Sequence, residues 1–178
     1  MICIECSGVH RSLGVQITKI KSLKLDNIDN DILEILTVIE HEKINKIIEF
    51  NVKSYEKPKP NSPINEKEAF IISKYRDKKF FKNPFSQYTI PNNVYEFIFN
   101  FIEVDDILNI FNYIKLNFCD INKLYEINGS KYGFIHYACI KGKLNSFKML
   151  VYLGCDFQLP DGKNLKPIDH ATMSNNVI

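Results

Sequence analysis

The chain has 178 residues, 45% hydrophobic and 25% charged, with 23 basic against 21 acidic side chains and a formal net charge of +2. That balance excludes the strong positive field of a general nucleic-acid binder, and the length favours two small domains over one. No apolar run reaches the roughly eighteen residues of a membrane span, and Met1-Ile2-Cys3 lacks the features of a secretory signal, so a soluble intracellular protein is expected. In a reducing compartment Cys3, Cys6, Cys119, Cys139 and Cys155 are expected as thiols or metal ligands, and only Cys3 and Cys6 have ligand spacing.

Met1 to Asp26 holds a C-x-x-C, then Gly8 and Gly14, then the alternating Val15, Ile17, Ile20, Leu23 and Leu25. This order predicts a metal knuckle, a tight turn and a strand-like segment. From Ile28 to Val52, Ile32, Ile35, Leu36, Ile39, Ile44, Ile47 and Ile48 recur at steps of three and four behind Asp29 or Asn30 as cap, an amphipathic helix or a broken pair whose stripe is core. Three prolines in Lys57 to Pro63 bar any helix and make a linker or wrapping loop. Ser62-Pro63 then suits an N-cap and first turn for a helix from about Ile64 to Phe81, with Lys74 to Lys82 read as a solvated face. A break from Asn83-Pro84 to Pro91-Asn92-Asn93 marks the domain boundary, giving domains 1–82 and 94–178 joined by a linker of 83–93.

Beyond that break a repeat is visible. Ile135-His136-Tyr137-Ala138 returns as Ile168-Asp169-His170-Ala171, and Phe118-Cys119-Asp120 as Gly154-Cys155-Asp156, at a spacing typical of ankyrin repeats. Ala138 leaves room for a neighbouring helix, Gly142 supplies the turn within a pair, Leu150, Val151 and Leu153 fill the seam, and His136 bonds the turn. Antiparallel helices are predicted at Ile135 to Lys141 and Asn145 to Leu153, in two to three repeats with the last incomplete at Ile178.

The densest signal is Cys3-Ile4-Glu5-Cys6-Ser7-Gly8-Val9-His10-Arg11-Ser12-Leu13-Gly14-Val15, continuing from Thr18 to Asp26. This run resembles the core of the Arf GTPase-activating (ArfGAP) domain, in which it forms the second half of a four-cysteine zinc finger and its arginine enters the nucleotide site of Arf. The likeness continues through Ile44-Asn45, Glu49, Lys57-Pro58, Glu66 to Phe70, Lys74-Tyr75 and Lys78 to Phe80, and with ankyrin repeats behind it resembles the ACAP and ASAP type. The resemblance implies Cys3 and Cys6 as zinc ligands, Arg11 as an arginine finger, an Arf-family GTPase as partner and a role in vesicle-mediated transport. It also implies a cytoplasmic protein, peripheral at an endosomal, Golgi or plasma membrane.

Physically, charge builds on phosphate oxygens during γ-phosphoryl transfer, and a planar guanidinium on a rigid mount neutralises it. Lys19, Lys21 and Lys24 add a basic edge suited to an acidic or phosphate-bearing partner or an anionic membrane surface. His10 is expected packed and hydrogen-bonded beside the knuckle. Two features depart from the family. The partner C-x-x-C expected upstream is missing, leaving half a zinc site, and Glu40-His41 stands where Gly-Asn is usual. The expected fold is mainly α with a small, zinc-finger-derived β element, a truncated ArfGAP domain followed by ankyrin-type helix pairs. The rival reading is a catalytically inactive interaction module that binds another protein on its ankyrin face. A nucleic-acid knuckle is disfavoured, since Ile4 and Val9 are neither basic nor aromatic.

Overall fold

In the computed structural model, residues 2–28, 30–39 and 41–175 are described. The chain parts into two compact units, one of Met1–Asn30 with His41–Asn83 and one of Asp31–Glu40 with Pro84–Ile178. The described residues are mostly helical, with one two-stranded sheet. Among them no helix is long and apolar enough to cross a membrane. The cap expected at Asp29, the departure at Glu40 and the chain end at Ile178 lie outside the described residues.

In the first unit, α1 runs Ile4–Ser12 and ends in a turn at Gly14, whose φ of +88° a side chain would resist. The strand expected from Val15 to Leu25 is not formed. That stretch is a chain of turns, with Ile17 and Thr18 amides on the Gly14 carbonyl and the Asp26 amide on Ser22. The physical reason is the absence of a pairing edge: alternation alone supplies no ladder, and local side-chain bonds such as the Ser22 amide to the Asp26 carboxylate (2.5 Å) take its place. The Ile28–Val52 stripe is a broken pair, α2 (Asn30–Val38) and α3 (His41–Ile48), and α2 groups with the second unit.

Helix α4 (Ile64–Ile71) continues as a single wide π turn, Ile72–Arg76, and stops short of the expected Phe81. Lys78 then takes a left-handed φ of +52°, which lets Phe80 and Phe81 both turn inward to 3% and 5% exposure. The segment is pinned to the end of α3 by Asn51 amide to Phe80 carbonyl (3.0 Å) and Lys82 amide to Ile47 carbonyl (2.8 Å). Pro63, not Ser62, occupies the cap position of α4; the Ser62 hydroxyl instead accepts the Lys59 amide and closes the proline loop.

The second unit stacks helix pairs. α5 (Tyr95–Glu103) packs on α6 (Ile107–Lys115), α7 (Phe134–Ile140) on α8 (Leu144–Tyr152), and α9 (Pro167–Met173) on α7. The pair α7 and α8 falls within one residue of its expected bounds, with Gly142 between them at φ +63°. Ile98, Phe99, Ile102, Ile110, Phe134 and Leu150 are wholly buried. Met149 and Leu150 fill the seam, whereas Val151 faces outward. Asp105, itself left-handed, caps α8 by accepting the Ser146 amide (2.9 Å) and hydroxyl.

The small sheet lies here rather than at the finger. Strands β1 (Tyr125–Ile127) and β2 (Ser130–Tyr132) pair antiparallel across Asn128-Gly129, both at positive φ. Asn-Gly flanked by Tyr-Glu-Ile and Ser-Lys-Tyr is a strong short-range hairpin signal.

Candidate functional site

Arg11 lies one residue before the C-terminal end of α1 and is exposed. Its guanidinium makes one long bond, Nη1 to the Ser7 hydroxyl at 3.5 Å, so the side chain is free to reach outward. The mount beneath it is fixed. Ser7 is buried and donates to the Ile4 carbonyl (2.7 Å), while the buried His10 ring packs edge-on against Tyr75 at 4.7 Å. Burial, and then the nearby Lys74 ammonium, lower the His10 pKa and keep the ring neutral. The expectation that His10 is hydrogen-bonded is corrected in part: Nδ1 is buried without a partner among the described residues, and shape rather than a bond holds the ring.

Lys74 also departs from expectation. It is not on a solvated face but only 6% exposed, and its ammonium donates to Glu49 (2.5 Å) and to the Asn45 side-chain oxygen (3.1 Å). Glu49 accepts Lys57 as well, at 2.7 Å. Burial opposes ionisation of Glu49, but the bonds from Lys57 and Lys74 win and hold its pKa below the ordinary value. Asn45, Glu49, Lys57 and Lys74, scattered through the sequence, thus converge in one network, which meets α1 where Lys74 and Tyr75 flank His10. No local pattern announces this, because an ion pair 25 residues apart leaves no period.

Cys3 stands at the start of α1 and Cys6 one turn on, Cys3 exposed and Cys6 half-exposed. Backbone and thiol hydrogen bonds from Cys6 lower the Cys3 pKa, while burial and then the Cys3 thiol raise that of Cys6. An i, i+3 thiol pair suits two ligands of a structural zinc, which wants four. Among the described residues no group of three or more His, Cys, Asp or Glu side chains could hold a metal ion. Cys3 and Cys6 therefore supply two of the four ligands a structural zinc wants, and the described residues do not complete the set.

The loop that follows α1 is apolar and basic together. Val15, Leu23 and Leu25 are 68%, 68% and 88% exposed, and Lys19, Lys21 and Lys24 are exposed with them. Lys21 is tied to the Asn27 carbonyl at 2.9 Å. Such exposed aliphatic side chains beside cations suit a partner surface better than open water.

Residues 1–84 match the family model described as "Putative GTPase activating protein for Arf". This segment is an ArfGAP domain, with relatives of the kind that join this domain to further modules. It is 43% identical over 81 residues to Arf-GAP with coiled-coil, ANK repeat and PH domain-containing protein 2 of Homo sapiens, covering 44% of this chain and 10% of that protein. Over 86 residues it is 43% identical to ADP-ribosylation factor GTPase-activating protein effector protein 1 of Saccharomyces cerevisiae, 45% of this chain and 17% of that one. It is 40% identical over 86 residues to a Caenorhabditis elegans Arf-GAP with ANK repeat and PH domain, again 10% of the relative's length. The matched stretch thus spans a tenth to a sixth of these relatives.

Proposed function

We propose that the first unit activates GTP hydrolysis by an Arf-family GTPase, with Arg11 as the arginine finger. One observation carries this reading: an exposed, loosely held guanidinium on a helix anchored from within by Ser7 and His10. With its backbone mount already fixed, only the arginine side chain has to be ordered to meet charge as it develops on the phosphate oxygens. Exposed Leu23, Leu25 and Lys19 on the loop after α1 offer a surface that would hold the partner. The second unit is read as ankyrin repeats, supported by its α7–α8 pair, by His136 bonding the Gly133 amide and the Leu159 carbonyl, and by the ANK repeats in the names of the relatives. It would hold a protein on its face while the whole works peripherally at a cytoplasmic membrane in vesicle traffic, with zinc bound where two further ligands are available to Cys3 and Cys6.

The test is single-turnover hydrolysis in a GTP-loaded Arf-type partner. An arginine finger contributes roughly 10³ to 10⁵ in rate, about 4 to 7 kcal/mol at the transition state. Arg11→Ala should lose most of it, and Arg11→Lys nearly as much, because an ammonium lacks the planar fork. Ground-state binding should weaken far less than the rate falls. If stimulation is nil with Arg11 in place while the second unit still captures a protein, the interaction-module reading replaces this one.

A further inference from the structure

We propose that Thr18 is a positioning residue for Arg11, clamping the peptide plane from which the arginine side chain projects; this rests on the activator reading above. The Thr18 hydroxyl reaches back eight residues to donate to the His10 carbonyl at 2.7 Å. That carbonyl and the Arg11 amide belong to one rigid peptide unit, so a bond to the oxygen fixes the orientation of the Arg11 backbone. The position is one where a helix otherwise lacks restraint. The last carbonyls of any helix have no intrahelical partner, and among the described residues that of His10 in α1 otherwise meets only the long, 3.3 Å contact from the Leu13 amide.

The loop is built to deliver this hydroxyl. The Gly14 amide bonds the Arg11 carbonyl (3.1 Å), the left-handed Gly14 reverses the chain, and the Thr18 amide returns to the Gly14 carbonyl (3.1 Å). On the other side the His10 ring is wedged against Tyr75. The peptide preceding Arg11 is thereby held twice on its His10 side, by the packed ring at the His10 side chain and by the hydroxyl at the His10 carbonyl. The guanidinium itself stays free to seek the phosphate. Thr18 touches neither the guanidinium nor any reacting atom, and its effect would be on the direction of Arg11, not on charge.

Thr18→Val keeps the side-chain shape and deletes the donor; Thr18→Ser keeps the donor. In the full chain, Thr18→Val should speed hydrogen exchange of the Leu13 and Gly14 amides about five- to tenfold, the factor expected for one ordinary hydrogen bond, and Thr18→Ser should restore it. With a GTP-loaded Arf-type partner, Thr18→Val should slow hydrolysis per bound complex by a similar factor with partner affinity unchanged. In an Arg11→Ala background it should cost nothing further, since there is no finger left to aim. Unchanged exchange in Thr18→Val overturns the clamp. So does an equal loss of rate with and without Arg11. Faster exchange that serine reverses, in a chain giving no stimulation at all, keeps the clamp and overturns the activator reading instead.

Discussion

The two units are held together by different physics. The second is an apolar and aromatic stack: Phe99 meets Phe134 and Tyr137 at 5.0 Å each, and the buried His136 is bonded at both ring nitrogens. In the first, a thinner core of Ile48, Ile71, Phe80 and Phe81 sits beside a buried ammonium and carboxylate, while Ile4, Leu23 and Leu25 stay in water. Desolvated ion pairs cost nearly as much to bury as they return, so the Lys74–Glu49 pair adds little net stability to the first unit. The second also buries a carboxylate, Asp161, but satisfies it with the His170 ring and the Lys163 and Leu165 amides instead of an ammonium.

The largest effect that could break this contrast is at Phe99. Phe99→Ala should cost about 4 kcal/mol by cavity formation, seen as loss of amide protection across α5 and α7 in urea. A cost below about 1 kcal/mol would mean that the aromatic stack is not what holds the second unit. Lys74→Ala should cost about 3 kcal/mol in the first unit, because Glu49 is left buried with only the outer Lys57. Lys74→Met with Glu49→Leu should recover most of that, and failure to recover would make the pair a net stabiliser. The same pair sets acid sensitivity. Since the folded pKa of Glu49 is depressed, its contribution is present above the unfolded value of about 4.3 and is lost as pH falls through the folded one. Glu49→Gln should flatten the fall in stability there.

A smaller effect is expected at His136. His136→Ala should cost about 2 kcal/mol by orphaning the buried Gly133 amide and Leu159 carbonyl, read from thermal melting. Burial lowers the His136 pKa, so its contribution is present above the unfolded value of about 6.5 and falls as acid protonates the unfolded chain first. The smallest effect is at the thiols. Elemental analysis of residues 1–178 should find zinc substoichiometric, and a chelator should leave both melting transitions in place, because two thiolates hold the ion weakly. One firmly held zinc per chain would reveal two further ligands and would make the first unit metal-stapled.

Much was determined by the sequence alone. The thirteen-residue run from Cys3 to Val15 identified the domain, since a motif is local and its residues are read in order. The repeat of Ile135–Ala138 located α7 and α8 to within a residue, because a 3.6-residue period and a turn glycine leave their mark in sequence. Asn128-Gly129 carried the hairpin equally openly. Tertiary structure decided the rest. Val15 to Leu25 alternate like a strand but find no edge to pair with, and a strand without a partner is not stable. Lys74 looks like any surface lysine until Asn45 and Glu49, brought from 29 and 25 residues away, supply its bonds. Thr18 gains its place only because Gly14 turns the chain back onto the open carbonyl of His10. Spacing along the chain encodes what neighbours in sequence do to one another; which buried charge is matched, and which carbonyl is clamped, is set by segments that meet only after folding.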